Sequence, residues 1–506
     1  MILPFQDEVV NAWAAFGRGE CDAAAVKSVS SYFGIYPQRN DKAMMRLRRT
    51  AGVVTPADLI NAARILKEHH GDFAHLTTRQ CIQLHSIPPA EVPAALNDCE
   101  DVGFHFRGGG GDTFRNVLVN DHAGLWADTI FDVRPYAFSL AYNFYSFELA
   151  YHLPRKLKVS FADRIEDAYI AKDQDLGFLA KMVDGQPCFE VCMAGGIGIR
   201  PRTGIKIFDA LPAADCVKVA MALTAFFNDR GCRTNRGKAR IRHLRTEMGD
   251  EAFVQTFMEY YAKAPEVKAN PGRYIPREIN PSFPTNHQPP TTNHYEVWKA
   301  LAVTKLKDNL CAVRVFVPFG NFTAEELRHF GEVMEKYGVK EFAMPVTQDL
   351  SVVVPEDQLG GIYQVLKDEF PGRGYTMETF VGNIRTCIGC TICKSGVTDS
   401  PSIGRKVGEY FDKYLPLDTP EKLAIAKALL NDVRISGCPN SCTCQVLAKF
   451  GFSGRKVNGV DGESVYTPGS VAGGEVVLGT MDAAAGGIAA DDFPAFLEQR
   501  VLSSLH

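Results

Sequence analysis

A chain of 506 residues is too long for one ordinary core and implies about three or four packing units. Its 46% hydrophobic and 23% charged residues are a globular composition, which excludes long disorder and a fibrous repeat. A formal net charge of -4 excludes a global basic field for nucleic acid, so any attraction for an anion must come from a local cluster of Arg and Lys.

The first residues, MILPFQDEVV, lack the basic start and long apolar run of a secretory signal. No stretch approaches the ~18 apolar residues of a membrane helix, so a cytoplasmic protein without a membrane partner is expected. Alternate residues of a strand share a face, which puts Arg46 with Arg48. AGVVTPADL, Ala51 to Leu59, reads as strand, turn with N-cap Thr55, and helix. In the strand-like FAHLTTRQCIQLHSI that begins at Phe73, the same alternation aligns Arg79, Gln83 and His85.

RGGGGDTF, Arg107 to Phe114, is glycine-rich but lacks the G-x-G-x-x-G order that opens a dinucleotide-binding helix. No flavin or nicotinamide fingerprint is present, so a redox reaction would draw electrons from a partner. LPRKLK, Leu153 to Lys158, puts Lys156 and Lys158 on one strand face. Cys188 and Cys192 have C-x3-C spacing, but FEVCMAGG reads as a buried strand and turn. Apolar residues at helical spacing predict a helix over Ala214 to Asn228.

Pro265 to Pro290 holds seven of the 28 prolines, which excludes regular helix or central strand and marks a surface linker. Beyond it the chain repeats itself. FGNFTAEEL, Phe319 to Leu327, resembles AGVVTPADL, with Thr323 as the N-cap, and FAMPVTQDLSVVVPE from Phe342 continues the match. Each copy fits a small α+β unit of split βαβ topology. A further helix is predicted over Pro420 to Asp432.

Fourteen cysteines are many for a cytosolic protein, where disulfides seldom persist, so clustered ones point first to metal. Six lie in TCIGCTICKSG (Cys387, Cys390, Cys393) and SGCPNSCTCQ (Cys438, Cys442, Cys444). The first group can be read as C-x5-C or as C-x2-C-x2-C, and the second gives C-x3-C, with Pro439 and Asn440 shaping the turn. Soft thiolates select iron-sulfur or zinc, and buried structural thiols are the plain alternative. The second group lacks the C-x2-C knuckle usual for zinc, while Gly389, Gly396 and Gly437 allow close backbone approach to a bulky cluster.

CIGCTIC followed by GCPNSC resembles the siroheme-containing sulfite and nitrite reductase family, of the assimilatory sulfite reductase hemoprotein type. The likeness extends to GIYPQRNDKAMMRLRR (Gly34 to Arg49), HLTTRQCIQLH (His75 to His85), FRNV (Phe114 to Val117), LPRKLK and NRGKAR (Asn235 to Arg240). It implies an α+β fold of duplicated ferredoxin-like half-domains plus two α/β domains that bind siroheme and a [4Fe-4S] cluster. The implied boundaries are 1–105 for the first half-domain with an N-terminal extension, 106–264 for the first siroheme-binding domain and 265–300 for the linker. The second half-domain then takes 301–375, and the [4Fe-4S]/siroheme-binding domain 376–506.

The resemblance assigns Cys387, Cys393, Cys438 and Cys442 to the cluster, with Cys442 also bridging to the siroheme iron and Asn440 close by. Cys390 and Cys444 are then surplus packed thiols. It places Arg46, Arg115, Lys156 and Lys158 around the substrate, with Arg48 able to exchange roles with Arg46, and Arg79, Gln83 and Arg155 on siroheme carboxylates. Lysines crowded by cations suit proton donation to oxygens that leave as water.

The nitrite-reducing type usually carries Asn two residues past the first lysine. This chain has Lys158, and a doubly charged anion gains more from an added cation, so sulfite is the expected substrate and nitrite the close alternative. A ferredoxin or a separate flavoprotein is the expected electron donor. The more distant readings are a precorrin-3B synthase-like oxygenase, with a cluster but no siroheme, and a non-catalytic zinc or electron-carrier protein.

Overall fold

The computed structural model describes residues 6–276, 278–285, 293–430 and 432–505. In chain order the first strands are β1 (Ile35–Pro37), β2 (Ala43–Arg48), β3 (Val53–Val54), β4 (Phe73–Leu76) and β5 (Cys81–Ile87). A second group follows as β6 (Leu118–Val119), β7 (Val159–Ala162), β8 (Leu176–Val183), β9 (Gln186–Met193) and β10 (Ile205–Pro212). The third is β11 (Val303–Lys305), β12 (Leu310–Val315), β13 (Asn321–Phe322), β14 (Phe342–Ala343) and β15 (Leu350–Pro355). The last comprises β16 (Arg385–Thr386), β17 (Val433–Ser436), β18 (Phe450–Val457), β19 (Val460–Val465), a hairpin of β20 (Ser470–Ala472) and β21 (Glu475–Val477), and β22 (Gly487–Ala489).

The predicted duplication is present, and the two copies are interlocked. One sheet runs β1-β2-β5-β4-β13 and the other β11-β12-β15-β14-β3, so each copy lends its short strand to its twin. The lending strands follow the same tight turn, with left-handed backbone at Ala51 (φ 59°) and Gly52 (φ 67°), and again at Phe319 (φ 55°) and Gly320 (φ 70°). A Cβ on Gly52 would stand 2.8 Å from Met344 O, and one on Gly320 2.9 Å from Leu76 O, which is why glycine occupies both places.

Each turn leads into a helix closed by a capping box, Thr55 with Asp58 at the start of Pro56–Glu68 and Thr323 with Glu326 at the start of Ala324–Lys336. The helices pack on each other, helped by Gly331, where a Cβ would meet Ile60 Cγ1 at 2.8 Å. Their inner faces bury Leu59, Ile65 and Leu66 on one and Leu327, Phe330 and Met334 on the other, each worth roughly 1.5–3 kcal/mol.

The other two sheets also share one plan. β6, β7 and β8 are parallel and continue into antiparallel β9 and β10, while β16, β17 and β18 are parallel and continue into antiparallel β19 and β22. One hydrophobic core runs through both half-domains and into the C-terminal sheet, and a second fills the sheet and helices between 114 and 269.

Cys188 and Cys192 are buried in β9. The helix predicted at Ala214 forms as Cys216–Arg230, and that at Pro420 as Pro420–Leu429. Within the proline-rich segment the described part is irregular apart from a short turn at Pro271–Arg273, and 286–290 lie outside the described residues, as do 1–5 of the amino terminus. No described helix is long and apolar enough to cross a membrane.

At the seam between the second half-domain and the C-terminal sheet, Asp349 is fully buried and bound by two arginines. Arg385 approaches at 2.7 and 3.0 Å, Arg314 Nε donates at 2.6 Å, and Val317 N–H adds a bond at 3.2 Å. Removing one member leaves the other charges buried without their counterion, so Asp349→Ala is expected to cost about 3–5 kcal/mol. Urea unfolding followed by tryptophan fluorescence checks this, and a loss under about 1 kcal/mol would contradict it.

Candidate functional site

Cys387 follows directly on β16, and Cys438 lies two residues past the end of β17. These strands are parallel neighbours, and Cys387 N–H donates to Ile435 O at 3.3 Å, so two loops fifty residues apart emerge side by side at the carboxyl ends of one sheet. That edge is where open α/β sheets characteristically bind ligands.

Within this edge Cys387, Cys393, Cys438 and Cys442 lie near enough to act on one another electrostatically. The Cys442 thiol is pushed up to about 12, first by burial and then by Cys387, Cys438 and Cys393, with Lys156 as the opposing cation. Burial also raises Cys438, as do Cys387 and Cys393, against hydrogen bonds from Asn440. Cys442 is nonetheless open to solvent, and Lys156 faces its thiol. Cys387 Sγ accepts from Gly437 N–H at 3.1 Å and lies 3.2 Å from Ser400 Oγ.

The two surplus cysteines part company. Burial and the carboxylates of Asp461 and Asp399 act on Cys390, whose N–H donates to Thr398 O at 2.9 Å. Cys444, in left-handed backbone, lies on the cleft side, where Asp173, Arg434, Lys158 and Arg79 act on it.

The cleft is cationic. Extended backbone around Leu157, itself buried, puts Lys156 and Lys158 on the opposite side, as alternation predicts, and a parallel bridge from Leu157 to Phe114 brings Arg115 alongside. Lys156 is held far below the usual lysine range by burial and then by Arg240, Arg115, Lys158 and Arg155. Lys158 is lowered to about 8, by burial and then by Arg79 and Arg240. Arg115 and Arg79 are each lowered to about 10, mainly by burial.

Arg46 lies in β2 and donates to Gly109 O at 2.6 Å. With its amide oxygen turned toward Arg46, Gln83 accepts from it at 2.9 and 2.7 Å and donates to His85 Nε2 at 3.1 Å. Arg48 turns to Arg107 O. Arg79 does not share the strand face of Gln83 and His85. It sits in the turn before β5, and left-handed Gln80 (φ 54°) breaks the alternation between them. From there it donates to Gln174 Oε1 and Asn116 O, both at 2.7 Å. Arg155 forms an ion pair with Asp112 at 2.8 Å, an acid it shares with Arg236.

Several residues here carried no assigned role in the sequence reading. Fully buried Asp175 accepts from Arg240 at 2.8 and 2.9 Å and from Lys158 N–H at 2.8 Å, anchoring both cations. Asn116 ties this unit to the first half-domain by donating to Arg49 O, Arg79 O and Gln80 O. Tyr36 Oη accepts from Gly111 N–H at 2.7 Å, and although burial opposes it, Arg115 and Arg46 hold the phenol below its usual range. Tyr36, Asn116 and Arg240 lay in quoted motifs, whereas Asp175 had no local signal.

The site suits an anionic group with several carboxylates beside a metal cluster. Buried nitrogens of Arg115 (Nε), Arg240 (Nε) and Arg242 (Nη1) have no hydrogen-bond partner among the described residues, a costly state that carboxylates would relieve. Burial and the neighbouring Cys387 and Cys393 hold the Cys438 and Cys442 thiols from ionising, a penalty that a cationic centre would relieve.

Comparison with known proteins gives the family. Residues 110–265 match the family model described as the nitrite and sulphite reductase 4Fe-4S domain, and residues 36–102 and 304–369 match the nitrite/sulfite reductase ferredoxin-like half domain. The chain is 26% identical over 518 residues to a ferredoxin–nitrite reductase of Synechococcus elongatus, covering 99% of this chain and 94% of that one. It is 24% identical over 497 residues to a sulfite reductase [ferredoxin] of Mycobacterium tuberculosis, covering 94% and 83%. In fold it is similar to the structure of the Mycobacterium tuberculosis NirA protein, with a TM-score of 0.76 at 21% identity, over 98% of this chain and 90% of that one.

Proposed function

Since the chain belongs to the nitrite and sulphite reductase family and is an oxidoreductase with an iron-sulfur domain, we propose that it reduces sulfite to sulfide in a six-electron, siroheme-dependent reaction. The observation that carries this reading is the meeting of the cationic residues with the cysteine edge, where Thr78, next to Arg79, donates to Cys442 O at 2.7 Å and Lys156 faces the Cys442 thiol.

Cys387, Cys393, Cys438 and Cys442 would hold the [4Fe-4S] cluster, with Asn440 beside it. Arg79, Gln83 and Arg155 would meet siroheme carboxylates, joined by the unpartnered nitrogens of Arg240 and Arg242. When bound, these groups supply the electrons, taken from a separate donor such as a ferredoxin or a flavoprotein in the cytoplasm. Arg46 and Arg115 bind the oxyanion as fixed donors that need not reorganise during the reaction. Lys156 and Lys158 give protons to the departing oxygens, because burial and neighbouring cations bring their acidity toward neutrality. Asp175 keeps Lys158 and Arg240 in register. The second lysine supports sulfite over nitrite, since a doubly charged anion gains more from it.

Anaerobically purified protein should show a haem-type visible spectrum and, with a reduced viologen dye as donor, a higher kcat/KM for sulfite than for nitrite. A higher value for nitrite would make it a nitrite reductase. A plain cluster spectrum would favour the oxygenase relative, and protein free of iron and sulfide after reconstitution would end the reading.

A further inference from the structure

The cysteine edge is also gripped from across a domain seam. Arg39, in the exposed turn between β1 and β2, donates three hydrogen bonds to the loop that carries Cys393. Its backbone N–H reaches Ile392 O at 3.2 Å, Nε reaches Cys393 O at 3.1 Å, and Nη2 reaches Gly396 O at 2.9 Å. The base of this side chain is fixed. Neighbouring Gln38 is buried, accepts from Ser86 N–H at 2.7 Å, and donates its own N–H to Lys42 O at 2.8 Å, which pins the turn to β5.

A second contact across the same seam holds the other loop, where Thr78 Oγ1 donates to Cys442 O at 2.7 Å. The nearby Lys394–Asp41 pair, at 3.5 Å and exposed, adds little. We propose that Arg39 is a positioning residue for the iron-sulfur cluster, locking the Cys393 loop to the first half-domain and easing the cluster's reduction with its charge.

This rests on the reading of the four cysteines as cluster ligands. A guanidinium fork can serve two carbonyls of one loop at once, which a lysine ammonium cannot reproduce from the same base. Groups that orient ligands from outside the coordination sphere typically change metal affinity 10–100-fold when removed. Reduction adds negative charge to a centre already surrounded by thiolates, so a fixed cation beside Cys393 favours the reduced state. Solvent at the exposed turn moderates this effect without cancelling it.

The test compares full-length wild-type protein with Arg39→Gln, Arg39→Lys and, as a surface control in the same turn, Lys42→Gln, all reconstituted anaerobically. Two quantities are read: the rate of iron loss to a chelator, and the cluster midpoint potential from a redox titration followed by electron paramagnetic resonance. Arg39→Gln should lose iron about tenfold faster and titrate at a more negative potential. Arg39→Lys should also lose iron faster but keep the wild-type potential, and Lys42→Gln should match wild type in both.

The proposal is overturned if Arg39→Gln matches wild type, if Lys42→Gln behaves like Arg39→Gln, or if Arg39→Lys and Arg39→Gln share one potential. Wild-type protein without iron would instead sink the cluster reading itself, so the two failures are distinguishable.

Discussion

Serine in place of Cys442 is expected to abolish reduction of both oxyanions, a loss of about three orders of magnitude or more, and to strip most iron and acid-labile sulfide from the purified protein. Cys442 sits where the other three ligand-type thiols and Lys156 converge, so its loss removes a cluster ligand and the junction with the cationic cleft together. The informative comparison is Cys444→Ser. Cys444 faces Asp173, Arg434 and Lys158, so its replacement should leave iron and sulfide per chain unchanged even if turnover falls. Metal analysis with the visible spectrum decides the matter. Iron retained in Cys442→Ser, or lost in Cys444→Ser, would mean that the ligand set has been misassigned.

Lys156→Ala is expected to lower kcat for sulfite by about 10²–10⁴-fold with iron content intact, the usual range for loss of a positioned proton donor. Lys158→Asn should lower the sulfite rate more than the nitrite rate, and an equal loss for both would remove the charge basis for preferring sulfite. The pH profile gives an independent check. Lys158 is lowered to about 8, so it is mostly charged at neutral pH and loses its proton as pH rises through that value. Anion binding and proton donation both need the charged form, so kcat/KM for sulfite should fall on the alkaline side. Anionic groups bound in the cleft can only move this limb upward from about 8. Lys158→Arg, which keeps its charge, should flatten it; an unchanged limb in that variant would assign it to another group.

Much of the fold could be read locally. The two capping boxes, at Thr55 with Asp58 and Thr323 with Glu326, are short-range chemistry, and their repetition exposed the duplication. The exchange of β3 and β13 between sheets was hidden, because Val54 pairs with Phe342 and Asn321 with His75 across most of the chain. Alternation placed Lys156 and Lys158 correctly, since both lie in extended backbone. It failed at Arg79, where a single left-handed residue resets the direction of the chain.

Local chemistry along the chain supplies the inventory: two cysteine groups, a lysine pair, arginines in recognisable motifs, and a repeated α+β unit. These follow from residue types at short spacing, where backbone geometry leaves few choices. Which of these meet depends on long-range packing. The parallel pairing of β16 with β17 brings Cys387 beside the Cys438 loop, directs Cys390 and Cys444 to different surroundings, and leaves Cys387, Cys393, Cys438 and Cys442 within electrostatic reach of one another. The carboxylates that hold the cations, Asp112 for Arg155 and Asp175 for Arg240, lie tens of residues from their partners. Such pairings depend on where the packed chain puts each charge, and no spacing rule encodes them.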